Sequence, residues 1–221
     1  MPTPRWSVVV FDLDGTVVNT IPLIIASYEH AMWSVLGVRP SPGEARGWIG
    51  QTLYGTFSER HPERAQELVD SYVEWNAEHL TELLEEYPGA EDLVVELTRS
   101  GAVIGVVTSK RHVSAINTLR AAGLDGHLPL LVAMEDTTTH KPDPEPLLLA
   151  LQRLGVRAVE SVYIGDAVVD VLAAKAAGMA AIAVTWGAGD REDLVAAAPL
   201  AVVDTMEELR ALLLDEAPGR D

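Results

Sequence analysis

Short runs of consecutive apolar, mostly β-branched residues recur along the chain, each cut off by polar or glycine-containing turns. Ser7-Val8-Val9-Val10-Phe11 is the first, and residues 103–107, 130–133, 162–164, 181–184 and 200–203 repeat the pattern. Such runs predict strands buried on both faces, as in a parallel sheet, because a half-exposed strand alternates apolar and polar positions. Between them, apolar residues at three- and four-residue spacing predict helices over 92–99, 113–122, 145–154, 168–177 and 206–214. Strand and helix in alternation make an α/β fold with a doubly wound, mainly parallel, Rossmann-like sheet core.

From 17 to 86 the strand pattern stops and only helical signals occur, including a long amphipathic stretch over 63–85. Ser41-Pro42-Gly43-Glu44 offers an N-cap serine, a first-turn proline and a capping-box glutamate. Pro88-Gly89 marks the return to the core. The expected organisation is therefore a core built from 1–16 and 87–221, with an all-helical cap domain, 17–86, inserted after the first strand. Residues 215–221, with a proline, a glycine and charges, are expected to form a loose tail.

Charge narrows the partners. The 221 residues carry 33 acidic against 16 basic side chains, a formal net charge of −17. That balance repels nucleic-acid phosphates and anionic membrane surfaces, so neither is an expected partner, and an anionic substrate must meet a local positive site. No cysteine is present, which excludes disulfides and thiolate chemistry and fits a reducing compartment; the cytoplasm is the expected location. The apolar run after Met1-Pro2-Thr3-Pro4-Arg5 is too short for a signal-peptide core, and no stretch approaches the roughly 20 apolar residues of a membrane span.

In an open parallel sheet the ligand site lies beyond the carboxyl ends of the strands, where polar residues here fall in four complementary places. They are Asp12, Asp14, Gly15 and Thr16; Thr108 and Ser109; Lys141; and Asp166 with Asp170. Two aspartates two residues apart can supply a nucleophile and a general acid, although Asp-x-Asp-Gly-Thr alone is also an ordinary strand-ending turn. Asp166 and Asp170 share one face of a helix start, where aspartates also serve as plain caps; following a buried strand, Asp166 is better read as an oxygen ligand for Mg2+. Carboxylates gathered from two strand ends would repel one another without a cation. Lys141 stands out because the chain has thirteen arginines and only three lysines, Lys110, Lys141 and Lys175. A compact ammonium suits a phosphoryl group, and the hydroxyl and backbone N–H groups of Thr108 and Ser109 can add donors.

Phe11-Asp12-Leu13-Asp14-Gly15-Thr16, Val107-Thr108-Ser109-Lys110, Lys141-Pro142-Asp143-Pro144 and Gly165-Asp166 through Asp170, in this order, resemble the haloacid dehalogenase-like hydrolase superfamily. The resemblance spans nearly the whole chain. Trp48-Ile49-Gly50, Pro88-Gly89 and Thr185-Trp186-Gly187 are similar to its phosphoglycolate phosphatase and pyrophosphatase branches, and the insert to its small helical cap. The resemblance implies an Mg2+-dependent phosphatase of a small phosphorylated metabolite, phosphoglycolate-like, with inorganic pyrophosphate as the alternative substrate. It implies that Asp12 forms an aspartyl-phosphate, that Asp14 serves as acid and then base, and that Thr108, Ser109 and Lys141 hold the phosphoryl group. Asp12, the Asp14 backbone carbonyl, Asp166 and Asp170, the last directly or through water, are the implied metal set.

The sequence departs from the superfamily pattern at Ala167, where relatives carry a small hydroxyl or amide side chain, and at Asn19-Thr20, where Asp-Ser is common. Asp14 argues against dehalogenase chemistry, and a cap without lysine argues against phosphonate cleavage through a Schiff base. A sugar-phosphate mutase and a catalytically silent phosphate-binding protein stay open as lesser readings. Arg39, Arg46, Arg60, Arg64, His30, His61 and His79 are cap candidates for substrate selection or plain solvated charges; Trp33, Trp48 and Trp75 are expected in the cap core or between cap and core.

Overall fold

The computed structural model describes residues 3–215. Its elements in chain order begin with β1 (Thr3–Pro4), β2 (Val8–Phe11) and β3 (Val18–Asn19). Four helices follow, α1 (Ile21–Leu36), α2 (Pro42–Arg46), α3 (Leu53–Arg60) and α4 (Ala65–Leu83), and then β4 (Glu85–Glu86). Strict alternation comes next: α5 (Ala90–Arg99), β5 (Val103–Val107), α6 (His112–Ala121), β6 (Leu130–Val132), α7 (Glu145–Leu154), β7 (Ser161–Gly165) and α8 (Val168–Ala176). β8 (Ala180–Val184), α9 (Arg191–Ala196), β9 (Ala201–Val203), α10 (Met206–Leu213) and β10 (Leu214–Asp215) complete it.

β2 is buried along its whole length because it is paired on both sides, to β5 and to β7, in the six-stranded sheet β6-β5-β2-β7-β8-β9. All five pairings are parallel. Side chains alternate between the two faces as the pleat requires. Val9 and Phe11 join one core with Ile104, Val106, Ile164 and Leu97, while Val8 and Val10 join the opposite one with Val107, Tyr163, Ala181 and Leu147. Two cores on one sheet explain why the strands read as unbroken apolar runs. The chain runs outward from β2 to β5 and β6, then returns to β7 on the other side, so the order reverses between β2 and β7. Loops diverge there and leave a crevice beyond the strand ends.

The segment between β2 and α5 has a core of its own, in which Ile24, Tyr28, Met32, Trp48, Phe57 and Leu68 pack together. Tyr28 meets Trp48 edge-on at 5.1 Å between ring centroids and Phe57 at 5.5 Å. The Ser41 capping box is present, with Glu44 N–H donating to Ser41 Oγ and Ser41 N–H to Glu44 Oε2. The segment is not wholly helical: β3 and β4 form a two-residue antiparallel pair where the chain leaves and re-enters the sheet region. Trp33, expected in a core, is instead 53% exposed, with the Arg39 guanidinium over its ring. α9 and the β1–β10 pair have no counterpart among the expected elements. Asp215, expected in the loose tail, pairs with Thr3; residues 216–221 lie outside the described residues. Among the described residues no helix is long and apolar enough to cross a membrane.

Candidate active site

The residues singled out from the sequence converge at the β2/β7 reversal. Asp12 follows β2, Thr108 and Ser109 follow β5, and Asp166 follows β7, while Lys141 reaches in from the loop before α7 and Asp170 from the first turn of α8. Asp12, Thr108, Lys141, Asp166 and Asp170 are all buried. A cavity of about 290 Å³ has Asp12, Asp14, Thr108, Ser109, Lys110 and Lys141 on its core side, with Asp166 and Asp170 behind Asp12. Ile24, Tyr28, Leu53, Tyr72 and Asn76 from the inserted helices form the opposite wall.

Lys141 is the electrostatic hub. Its Nζ lies 2.9 Å from Asp12 Oδ1 and 2.6 Å from Asp170 Oδ1, and it donates to the Tyr163 hydroxyl at 3.2 Å. The hydroxyl in turn donates to the Val107 carbonyl at 2.8 Å, which fixes the acceptor side of the network. Burial alone would depress the Lys141 ammonium, but Asp12 and Asp170 hold its pKa well above the ordinary value. Lys141 therefore stays charged.

The carboxylates are pushed the other way. Burial raises Asp12 to about 8 even against Lys141, with Asp170 and Asp166 adding like-charge repulsion. Burial followed by Asp170 raises Asp166 to about 7, opposed by the Ala188 N–H and the Thr16 hydroxyl. Oxygen atoms of Asp12, Asp166 and Asp170 lie within 4.8 Å of one another. One ammonium does not offset three buried carboxylates, so the donor set fits a hard divalent cation such as Mg2+, which takes oxygen ligands. Asp170 is the most committed of the three, since its Oδ1 takes Lys141 and its Oδ2 the Ala167 N–H at 3.0 Å.

Two glycines make room for Asp166. Gly15 has φ +78°, a left-handed conformation that disfavours any side chain, and a Cβ there would sit 2.4 Å from Asp166 Oδ2. A Cβ on Gly187 would sit 2.2 Å from the same oxygen. The pocket also draws on residues that the sequence motifs leave unassigned. Thr16 Oγ donates to Asp166 Oδ1 at 3.1 Å, and Ala188 N–H donates to Asp166 Oδ2 at 2.6 Å. Thr20 Oγ donates to Asp14 Oδ1 at 2.6 Å, and Lys110 Nζ, unremarkable in sequence, lies 2.7 Å from that oxygen. Thr16 belongs to the first motif, which gave it no role of its own, and only proximity to that motif could have pointed to Thr20; nothing local marks Ala188.

Some expectations need correction. The Thr108 backbone N–H is spent on Val132 in the sheet, so its hydroxyl is the group turned to other work. None of the arginines or histidines of the inserted segment lines the cavity. Arg60 lies over Trp48 and donates to the Thr56 carbonyl, Arg64 pairs with Glu67, and Trp75 stacks on both His30 and His79. Ala167 keeps its N–H on Asp170, and its methyl faces Gly50 of the insert, where a Cβ would come within 3.1 Å.

Comparison with known proteins agrees with this geometry. The family description Haloacid dehalogenase-like hydrolase matches residues 9–184. Pyrophosphatase PpaX of Bacillus cereus (strain AH820) is 35% identical over 211 residues, 96% of this chain and 98% of that protein. Its counterpart in Bacillus thuringiensis (strain Al Hakam) is 34% identical over the same shares. Among solved structures, a haloacid dehalogenase-like family hydrolase from Streptococcus pneumoniae is 25% identical, with a TM-score of 0.83 over 93% of this chain and 98% of that one. Family match, sheet order and aspartate placement agree: the chain belongs to the haloacid dehalogenase-like hydrolases, among their phosphoric-ester-cleaving members.

Proposed function

We propose that this chain is an Mg2+-dependent, cytoplasmic phosphatase of small phosphorylated metabolites, phosphoglycolate-like phosphomonoesters in the first instance, working through a phosphorylated Asp12. Residues 17–86 act as a cap over a core of 1–16 and 87–221. The observation that carries this reading is the placement of Asp12: its carboxylate ends the central strand, faces the cavity and contacts Lys141 at 2.9 Å.

In the first half-reaction an Asp12 carboxylate oxygen attacks phosphorus while Asp14 protonates the departing oxygen, giving an acyl phosphate and a free alcohol. In the second, Asp14 takes a proton from a water that attacks the same phosphorus, which releases phosphate and regenerates the Asp12 carboxylate. Lys141 would balance charge on the phosphoryl oxygens, and the Thr108 hydroxyl and Ser109, which line the same cavity, would donate to them. Asp12, Asp166, the Asp14 carbonyl and Asp170, directly or through water, would hold Mg2+, which neutralises phosphoryl charge when bound. Thr20 and Lys110 converge on Asp14 Oδ1 and so orient the acid–base group.

A second reading, pyrophosphate as substrate, is favoured by the 35% identity to a protein named pyrophosphatase and by Lys110 and Arg111, core cations at the cavity. Phosphate release from pyrophosphate, phosphoglycolate, sugar phosphates and nucleotides, with and without Mg2+, separates the two. Release from none of them would refute both.

A further inference from the structure

The segment 186–189 joins the Asp166 carboxylate to the inserted helices. On its inner side, Ala188 N–H donates to Asp166 Oδ2 at 2.6 Å and Gly189 N–H to the Asp166 carbonyl at 3.1 Å. Its three outward carbonyls are gripped from elsewhere. The Tyr87 hydroxyl, just after β4, donates to the Trp186 carbonyl at 3.2 Å. Arg46, at the end of α2, donates through Nε to the Ala188 carbonyl at 3.1 Å and through a terminal nitrogen to the Gly187 carbonyl. Trp186 Nε1 donates to the Thr16 carbonyl at 3.1 Å, and the Thr16 hydroxyl returns to Asp166 Oδ1. Thus the peptide that orients one oxygen of Asp166 is held at its other end by an arginine of the insert.

We infer that Arg46 is a latch: docking of the insert on the core and binding of a divalent cation at Asp166 strengthen each other through the 186–189 segment. Arg46 is a positioning residue, since it touches none of the reacting groups. A planar fork is suited to two successive carbonyls, and α2 brings it there because the neighbouring contact is close: Gly50 packs on Ala167 with no room to spare. If the insert lifts, both carbonyls lose their donors and the Ala188 N–H is no longer held against the carboxylate. Outer-shell partners of metal ligands matter by 10–100-fold in affinity, typically. Coupling between two sites is reciprocal, so Mg2+ must in turn favour the docked insert. The inference rests on the metal reading of Asp166.

The test uses the full chain and Mg2+ alone, without substrate. Calorimetric Mg2+ titration of wild type and Arg46→Gln is expected to show binding weakened by about tenfold in the variant. Arg46→Lys, which keeps the charge but offers no fork, is expected to fall between them. Hydrogen exchange then reads the reverse direction: Mg2+ slows exchange over 42–50 in wild type and leaves it unchanged in Arg46→Gln. Circular dichroism identical to wild type shows that each variant is folded. Equal Mg2+ affinity in all three proteins would overturn the latch alone, as would weaker binding with the exchange response intact. Absence of Mg2+ binding in wild type would overturn both the latch and the metal reading beneath it.

Discussion

Gly187→Ala adds one methyl group to a position that no catalytic motif marks, yet the structure assigns it a large effect. The new Cβ would sit 2.2 Å from Asp166 Oδ2, 2.3 Å from its Cβ and 2.4 Å from its Cγ, whereas ordinary contact begins near 3.4 Å. The whole carboxylate arm, not one flexible tip, stands in the way. Asp166 or the 186–189 backbone must therefore retreat by about 1 Å, and a misplacement of that size at a reacting site costs on the order of 10²-fold in rate. Overpacking costs about 1–3 kcal/mol as well. For a chain of this size each kcal/mol lowers Tm by roughly 2–4 °C. Steady-state kinetics with a Mg2+ titration should show kcat/KM down by about two orders of magnitude and a weaker Mg2+ requirement curve, with a modest Tm loss in calorimetry. Wild-type rate and Mg2+ affinity in Gly187→Ala would refute the reasoning, because the methyl group would then have found space that the geometry denies it.

Three further outcomes follow from the same geometry. Lys141→Arg should lose at least about tenfold in kcat although charge is kept, because a planar guanidinium cannot place one nitrogen against Asp12, Asp170 and Tyr163 at once; steady-state kinetics checks this. Asp12 and Asp166 are raised in the fold to about 8 and about 7 from 3.8, so the folded metal-free chain holds protons that the unfolded chain has lost. Its stability should therefore fall as pH rises from about 4 to about 8, and the gain in Tm on adding Mg2+ should grow over the same window, since the cation competes with those protons. A Mg2+-induced Tm shift independent of pH would contradict it. Exhaustive chelation should abolish turnover and Mg2+ should restore it, measured by phosphate release.

The sheet was legible because burial on both faces leaves a strong signature: Val8, Val9 and Val10 alternate between two cores and so need no polar member. Asp12 and Asp166 stood out because each directly follows a buried strand, Asp14 because it stands two residues after Asp12, and Lys141 because lysine is rare in this chain. What escaped depends on distance in sequence. Ala188 acts through a backbone N–H that any residue possesses, and Arg46 acts on carbonyls some 140 positions away. Gly187 was marked only as part of Thr185-Trp186-Gly187, and its role shows once Asp166 is beside it in space. Lys110 looks like a surface charge until the Asp14 loop is folded against it. Trp33 was misjudged because aromatic character alone does not say which face of α1 is turned to solvent.

The central claim is that phosphorus passes through the Asp12 carboxylate. In an Asp14→Asn variant supplied with Mg2+ and an aryl phosphate, whose good leaving group needs little protonation, phosphorylation should proceed while the water-activating step stalls. Acid quench, borohydride reduction and peptide mass spectrometry should then find the reduced carboxyl at Asp12, in near-stoichiometric yield, and none after Asp12→Asn is combined with Asp14→Asn. Reduction at a different carboxylate, or steady turnover by Asp12→Asn itself, would contradict the account.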